Sequence, residues 1–249
     1  MKSKEEVLQN CIVIGNVVKL PNVQLDRKIY QDVAKSIEYI GGKWKGGKVF
    51  GFVFPHDPSE LLIQIANGEN RNLKKEFQFF ATPSDLADTL CEYAFQNCDI
   101  QGKVLEPSAG QGAIINSIHK IEFEQLTVRY CELNEINRSI LKNISHTEYL
   151  CDDFLKLEAK EEFATIIANP PFSKNQDIDH IYKMYECLKP KGRIVTICSK
   201  HFQFCNNKKE TEFLNFLNKI DAEIIEIPAN TFKDSGTSIS ALIIIINKK

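Results

Sequence analysis

From about residue 77 onward, short apolar runs alternate with segments in which apolar residues recur at helical spacing. Each apolar run has the length of a strand, and each intervening segment has the length of a helix. The predicted strands cover residues 103–106, 127–132, 148–151, 164–169, 193–198, 222–227 and 239–246. The predicted helices cover residues 83–97, 111–120, 134–144, 176–188 and 208–219. This alternation predicts an α/β fold in which helices cover both faces of a mostly parallel sheet.

The last two predicted strands differ from the others in how they are connected. They are joined by PANTFKDSGTS, a polar loop that is too short to contain a crossover helix. Parallel neighbours need such a crossover, whereas antiparallel neighbours do not. The pattern therefore predicts that the C-terminal strands form an antiparallel hairpin at one edge of the sheet.

Residues 1–75 follow a different pattern. LDRKIYQDVAKSIEYI places apolar residues at helical spacing, and KWKGGKVFGFVFP predicts a hairpin that turns at Gly46-Gly47. PSELLIQIANG then predicts a second short helix that ends at Gly68. We therefore expect a small α+β subdomain over residues 1–75 and a main domain over residues 76–249, with ENRNLKKEFQ at the boundary.

Composition and charge narrow the class of protein. The chain has 249 residues, of which 43% are hydrophobic and 26% are charged, which is typical of a globular protein. No apolar run approaches the roughly 20 residues of a membrane span, and the N-terminus lacks an apolar signal region, which favours the cytoplasm. The eight cysteines show no C-x-x-C spacing, so we expect reduced thiols and no metal site. The net charge of −2 argues against binding of nucleic acid over the whole surface, but it leaves room for a local basic face.

The first strand of the main domain ends in VLEPSAGQGAII, a glycine-containing turn that leads into a helix. Gly110 and Gly112 allow a sharp turn and a close approach of the backbone to a ligand. Glu106 lies at the carboxyl end of the strand, and PSAG stands where a dinucleotide fingerprint needs its third glycine. This departure points away from a nicotinamide dinucleotide.

The next two strands also end in chemically suggestive loops. YCELNE places Glu132 where a carboxylate can accept hydrogen bonds from ribose hydroxyls, and CDDFL offers Asp153 to an adenine amine and Phe154 as a flat face. Taken singly, Glu132 reads as a solvated strand end and Phe154 as a core residue. Because successive parallel strands end at one edge of the sheet, we expect these loops to line one crevice.

The fourth loop follows the strand in IIANPPF. Two prolines fix their own φ angles, donate no hydrogen bonds and push Asn169 into an extended conformation. The Asn169 side-chain oxygen and the Pro170 carbonyl can then accept both hydrogens of one amino group. These acceptors make the lone pair of an aromatic amine available for attack, while Phe172 stacks on the base.

Together, VLEPSAGQGA, YCELNE, CDDFL and NPPF resemble the successive motifs of S-adenosylmethionine-dependent amino-methyltransferases that act on adenine in nucleic acid. QFFATPSDLADTL resembles the motif that precedes the glycine loop in members whose cofactor half comes first. IPANTFKDSGTSISALIIII resembles the family's terminal hairpin, in which Phe232 lies near the target base. The resemblance extends from Phe77 to the end of the chain.

The resemblance implies the class I methyltransferase fold, a Rossmann-like seven-stranded mostly parallel sheet with an antiparallel C-terminal hairpin. It implies S-adenosyl-L-methionine as cofactor and transfer of its methyl group to N6 of a flipped-out adenine in DNA. The implied cofactor contacts are Phe80, Ala81, Thr82, Glu106, Pro107, Ser108, Gly110, Gly112, Glu132, Leu133, Asp153, Phe154 and Asn169. The implied catalytic residues are Asn169, Pro170, Pro171 and Phe172, and Phe172 and Phe232 would contact the base.

Many DNA methyltransferases with this motif order carry a large target-recognition domain after the hairpin, whereas this chain ends at Lys249. We therefore expect residues 1–75 and the loops after residues 172 and 199 to contact the substrate. Lys43, Trp44 and Lys45 in the predicted hairpin suit phosphate contact and base stacking. Alternatively, the aromatic residues pack the subdomain and the lysines are its solvated face. Similar N-terminal segments accompany methyltransferases of phage and mobile elements.

Three alternatives to DNA adenine methylation stay open at the level of sequence. One is an amino-methyltransferase that acts on adenine in RNA or on a protein glutamine amide, since NPP loops serve those substrates too. Another is transfer to cytosine N4, although Ser or Thr in place of Asn169 is more typical there. The third is a non-catalytic adaptor that binds the cofactor and supports a partner subunit. The oligomeric state does not follow from the sequence.

Overall fold

The computed structural model describes residues 3–54, 57–72, 82–96, 102–121, 126–205, 207–228, 231 and 240–249. The chain divides into two compact units, Met1–Phe79 and Phe80–Lys249. The expected boundary at residues 75 and 76 falls in the segment 73–81, which lies outside the described residues. Among the helices in the described ranges, none has the length and apolar character that crossing a bilayer requires.

The first unit combines helices with a four-stranded antiparallel sheet. Its described helices are α1 (Lys4–Gln9), α2 (Arg27–Tyr39) and α3 (Ser59–Ala66). Its strands are β1 (Ile12–Ile14), β2 (Val17–Lys19), β3 (Lys43–Lys45) and β4 (Gly51–Val53), in the order β1-β2-β4-β3. The α+β class, α2, α3 and the β3–β4 hairpin are confirmed. The sequence patterns did not reveal α1, β1 or β2, because elements of three to six residues are too short to show a period.

The second unit is built on a seven-stranded sheet. Its strands are β5 (Lys103–Glu106), β6 (Val128–Cys131), β7 (Thr147–Cys151), β8 (Phe163–Ala168), β9 (Leu188–Ser199), β10 (Glu223–Glu226) and β11 (Ala241–Asn247). Their order is β10-β11-β9-β8-β5-β6-β7, with parallel pairing from β9 to β7 and antiparallel pairing of β11 with both β9 and β10. The predicted mostly parallel sheet with an antiparallel C-terminal hairpin is therefore confirmed.

Five described α-helices accompany this sheet. They are α4 (Ser84–Phe95), α5 (Ala113–Lys120), α6 (Glu135–Leu141), α7 (Gln176–Cys187) and α8 (Lys208–Lys219). Apolar residues fill both faces of the sheet, since Val104 and Ile167 belong to one buried cluster and Leu105 and Ile166 to the other. Burial on both faces explains why the central strands are continuous apolar runs rather than alternating patterns.

Strand β9 begins earlier than the sequence predicts. It was expected to start at residue 193, but it begins at Leu188 and includes Pro190 and Gly192. The early part is irregular, since Phe163 pairs with Leu188 whereas Thr165 pairs with Arg193. The backbone N–H of Lys191 donates to the carbonyl of Lys248 at 2.9 Å, which holds this segment against the end of β11. Pairing with a distant strand thus overrides the local signal of Pro and Gly.

The sheet order determines where the predicted loops meet. From β5 the chain moves outward through β6 to β7, and it then returns to β8 on the other side of β5. The reversal lies between β5 and β8, and ligands of open α/β sheets bind in the crevice at such a point. The glycine loop that follows β5 and the NPPF loop that follows β8 border this crevice.

Candidate active site

The glycine loop turns through two left-handed residues before α5 begins. Gly110 has φ +55° and Gly112 has φ +83°, values that favour glycine. A Cβ on Gly112 would lie 2.6 Å from Cδ1 of Ile144 and 3.0 Å from Cδ2 of Leu141. Gly112 therefore permits both the turn and the close packing of the loop on α6. In the same loop, Pro107 is buried and Ser108 is half-buried.

Glu132 fastens this loop to the end of β6. Its Oε2 accepts a hydrogen bond from the Gly110 backbone N–H at 2.7 Å, and its Oε1 accepts one from the Asn134 backbone N–H at 2.7 Å. The Asn137 side chain adds a third at 3.3 Å. Burial raises the pKa of Glu132, and these donors oppose the rise. Sequence reasoning predicted a ribose acceptor here, and the structure adds that the same carboxylate shapes the glycine loop.

Glu106 is a second buried acid, and it lies at the end of β5. Its side chain is 2% exposed, and within the described residues its Oε2 has no hydrogen-bond partner. Burial and the nearby Glu132 carboxylate raise the pKa of Glu106 well above its ordinary value, and a backbone hydrogen bond from Ile115 opposes the rise. A buried, partly unsatisfied carboxylate is costly to the fold, and a cationic ligand group would compensate it.

The loops after β6 and β7 contain the exposed residue Leu133 and a helix cap at Asp153. Leu133 is 59% exposed. Asp153 caps the short helix Phe154–Lys156, because its Oδ1 accepts from the Leu155 backbone N–H at 3.1 Å. Arg138 links the two loops through the Leu133 carbonyl at 2.8 Å and an Asp152 carboxylate oxygen at 2.7 Å.

Phe154 lies in the core of the second unit. Its side chain is 2% exposed, and its ring centroid is 5.7 Å from that of His180. The prediction that Phe154 offers a flat face to adenine would therefore require this ring to move. Of the two apolar residues predicted to contact the cofactor in these loops, Leu133 is exposed to solvent and Phe154 is buried.

Asn169 at the end of β8 is held by Thr82, which stands two residues before α4 begins. The Asn169 Nδ2 donates to the Thr82 Oγ1 at 3.0 Å, across 87 positions of sequence. This orientation directs the amide nitrogen toward Thr82 and the amide oxygen away from it. Both residues were predicted from motifs, but their direct contact was not. Phe80, Ala81 and Phe232, which were also predicted as site residues, lie outside the described residues.

The prolines and Phe172 form a well-packed turn after Asn169. Pro170 is buried, Pro171 and Phe172 are half-buried, and Phe172 packs against the apolar cluster that also contains Ile167. Lys174 and Asn175 then adopt left-handed conformations, with φ +55° and +58°.

The chain after Phe172 is tied to α8 by contacts that the motifs did not indicate. The Asn175 Nδ2 donates to Glu210 Oε1 at 2.6 Å, and the Lys209 Nζ donates to the Asn175 carbonyl at 2.9 Å. Glu210 is fully buried on α8, and His201 and Cys205 lie beside it. These three side chains place one nitrogen, one sulfur and one oxygen atom within 4.8 Å of one another, so they are a group that could hold a metal ion.

In the first unit, Lys43, Trp44 and Lys45 are all exposed on β3, an edge strand of its sheet. Successive side chains of a strand point to opposite faces, so Trp44 and the two lysines lie on different faces. These three residues therefore cannot all contact the substrate through one face of the hairpin. Trp44 lies on one face, and the two lysines lie on the other.

The sheet order and the loops at its switch point define the class I methyltransferase fold, and solved structures share this fold. No family model matches the chain, and no curated protein matches it either. At these low identities, the structural likenesses below establish the fold alone.

Two of the similar structures come from restriction systems. The methyltransferase subunit of a type I restriction-modification system from Streptococcus thermophilus has a TM-score of 0.56 and 21% identity, over 68% of this chain and 44% of that one. The M protein of the type I restriction enzyme EcoKI has a TM-score of 0.57 and 14% identity, over 90% of this chain and 51% of that one. The chain therefore spans about half the length of these two proteins.

A third similar structure is a putative RNA methyltransferase from Pyrococcus horikoshii, with a TM-score of 0.52 and 18% identity. The match covers 74% of this chain and 96% of that one. The fold is thus shared with restriction-system subunits and with a protein named as an RNA methyltransferase.

Proposed function

We propose that this protein transfers a methyl group from S-adenosyl-L-methionine to the exocyclic N6 amine of an adenine in DNA. The observation that carries the proposal is the position of Asn169, which ends the strand beside the switch point and is oriented by Thr82 at 3.0 Å. The names of the two restriction-system structures favour DNA over RNA as the substrate.

The residues around β5 and β6 fit this cofactor. The buried Glu106 oxygen that lacks a partner among the described residues suits the ammonium group of the methionine part. Glu132 would meet the ribose, since each carboxylate oxygen has two lone pairs and can accept further hydrogen bonds. The exposed Leu133 would cover one face of the adenine. When bound, the cofactor supplies an electrophilic methyl group on a cationic sulfonium.

The NPPF loop would act on the amine that receives the methyl group. The Asn169 side-chain oxygen and the Pro170 carbonyl accept the two hydrogens of the amine, which draws the nitrogen toward tetrahedral geometry. These bonds become stronger as positive charge develops on the nitrogen, so they stabilise the transition state more than the ground state. Phe172 stacks on the base and fixes its position. None of the four residues in this loop is a base, so the proton of the amine passes to water.

One assay tests the proposal against its alternatives. The purified protein is incubated with labelled S-adenosylmethionine and with DNA, RNA or protein, and the digested products are identified by mass spectrometry. We expect N6-methyladenine in DNA, and we expect Asn169→Ala to abolish it while the variant still binds S-adenosylhomocysteine. Methyladenine in RNA alone, methylglutamine, N4-methylcytosine or undiminished activity of Asn169→Ala would each refute the proposal.

A further inference from the structure

The first unit contains a pocket that none of the predicted methyltransferase motifs explains. It has a volume of about 620 Å³ and lies beside the start of α2 and the β3–β4 hairpin. A pocket of this size falls within the range that holds small organic ligands. Its lining includes three aromatic residues, Tyr30, Trp44 and Phe50.

These aromatic side chains are unusually open to solvent. Tyr30 and Trp44 are each 41% exposed, and Phe50 is 68% exposed. The Trp44 ring contacts Phe50 and Phe52 edge to face, with centroid distances of 5.3 and 5.1 Å. Because Phe52 is buried, it fixes the Trp44 ring to the core of the unit. Trp44 and Phe50 therefore form one aromatic platform that is anchored on Phe52.

Phe50 is held in a backbone conformation that such a residue rarely adopts. Its φ angle is +41°, in the left-handed region where the Cβ of an L-residue is crowded. Conformations of this kind are strained and are concentrated at binding sites. A glycine would adopt this angle without strain. The presence of phenylalanine at this position therefore suggests that its ring has a function. That ring is mostly in solvent, which points to a ligand rather than to the core.

The charge around the platform has one sign. Of the described residues that line the pocket, Lys19 and Arg27 are the charged ones, and both are cationic. Residues 1–79 contain 12 Lys and Arg against 9 Asp and Glu, whereas the rest of the chain is net acidic. An aromatic platform with cations at its rim complements a base that is attached to phosphates.

We propose that this pocket binds an unpaired nucleotide of a nucleic-acid strand, with the base stacked on Trp44 and Phe50 and the adjoining phosphates at Arg27 and Lys19. Bases within a duplex are covered by their neighbours on both faces, so only an unpaired base can stack on a side chain. The site extends the proposed function, because removal of an adenine from the helix leaves nucleotides unpaired. Binding at the pocket is nevertheless measurable without methyl transfer.

The sequence offers a direct probe, because Trp44 is the only tryptophan of the chain. The intact protein is titrated with a single-stranded oligonucleotide and with the same sequence as a duplex, while tryptophan fluorescence is recorded. We expect saturable quenching by the single strand and at least tenfold weaker apparent binding of the duplex. Separate DNA and RNA oligonucleotides show which sugar is preferred, and saturable binding of either supports the site.

Variants separate stacking from charge. Since stacking on an aromatic residue contributes about 1–3 kcal/mol per base, Phe50→Ala should weaken single-strand binding roughly 5- to 150-fold. Arg27→Gln should lower the slope of log affinity against log salt by about 0.7. Ile63→Ala and Lys35→Gln, which change exposed or polar positions of the same unit that do not line this pocket, should leave both quantities unchanged.

Three results would overturn the site. The first is the absence of quenching at micromolar oligonucleotide, and the second is equal quenching by single strand and duplex. The third is a change in fluorescence with protein concentration alone, which would identify a second copy of the chain as the occupant. A protein that fails to methylate DNA but shows selective quenching would refute the proposed function and retain this site.

Discussion

Glu106 is a carboxyl group that the fold buries at the expense of stability. Burial and the Glu132 charge raise its pKa well above 4.5. Between the pKa of the unfolded chain and the higher folded pKa, the native state holds a proton that the unfolded state has released. Stability therefore falls as pH rises through this window, and below about pH 4 the group contributes little.

Replacement of Glu106 tests this cost. We expect Glu106→Gln to raise the melting temperature at about pH 7.5 and to leave it nearly unchanged at about pH 4, as measured by differential scanning fluorimetry. The same variant should bind S-adenosylhomocysteine more weakly, because a neutral amide does not compensate an ammonium group. Glu223→Gln, on the exposed face of β10, is the control. A lower melting temperature of Glu106→Gln at pH 7.5 would contradict this account.

Thr82 acts on the reaction through Asn169 in our interpretation. We expect Thr82→Val to lower kcat by roughly fivefold, since one lost hydrogen bond corresponds to about 1 kcal/mol. Thr82→Ser keeps the hydroxyl group and should retain most of the activity. Steady-state kinetics and the affinity for S-adenosylhomocysteine separate positioning from cofactor contact. If both variants lower only the affinity and leave kcat unchanged, Thr82 is a cofactor contact and does not position Asn169.

At the scale of elements, the turn from β5 into α5 depends on Gly112. Alanine at this position would destabilise the fold in two ways. The left-handed φ of +83° would be strained, and the new Cβ would lie 2.6 Å from the Ile144 Cδ1. We expect Gly112→Ala to destabilise the protein by at least about 1–2 kcal/mol in urea unfolding.

A double-mutant cycle separates these two costs. Ile144→Val removes the atom that the new Cβ would meet, so Gly112→Ala should be less destabilising in that background by about 1 kcal/mol. The strain of the left-handed backbone remains in both backgrounds. Equal effects of Gly112→Ala in the two backgrounds would show that the contact with Ile144 is relieved by other movements.

Sequence reasoning located the elements that have a clear period and missed those that depend on distant partners. The central strands were predicted because burial on both faces gives them unbroken apolar runs, as in residues 164–169. The first residues of β9 were missed because Pro190 and Gly192 resemble a loop, and only distant partners, Phe163 of β8 and Lys248, make them a strand.

The same distinction holds for the candidate site. Glu106, Glu132 and Asn169 were placed together because strand order alone brings the ends of parallel strands to one edge. The contact of Thr82 with Asn169 and that of Asn175 with Glu210 span long stretches of sequence. Such contacts depend on how helices pack on the sheet, which no local pattern in a single sequence records.

At the scale of the whole molecule, the chain consists of two compact units, and the predicted cofactor residues belong to the second. We expect S-adenosylhomocysteine at about 100 times its Kd to stabilise that unit by about 2.7 kcal/mol, a rise of roughly 5–10 °C in its melting temperature. Trp44 reports only on the first unit. Its fluorescence melt should therefore stay unchanged while the circular dichroism melt shifts.

The fluorescence melt and the circular dichroism melt could also shift together. Equal shifts of the tryptophan and circular dichroism transitions would show that the units unfold together, and the stabilisation would then belong to the whole chain. Glu106→Gln should reduce the ligand-induced shift, which confirms that the shift arises from the predicted cofactor residues.

Strand β8 occupies the fourth place in the described seven-stranded sheet, with three strands on either side. We expect its amide hydrogens to exchange with solvent only when the sheet opens on a large scale, which hydrogen-exchange measurements on residues up to Ala168 would show. Asn169 is the first residue after this central strand. From Asn169 the loop runs only as far as Asn175, where Glu210 and Lys209 of α8 hold the chain again. The residues proposed to act on the amine thus lie in one short segment whose two ends are anchored, at the centre of the sheet and on α8.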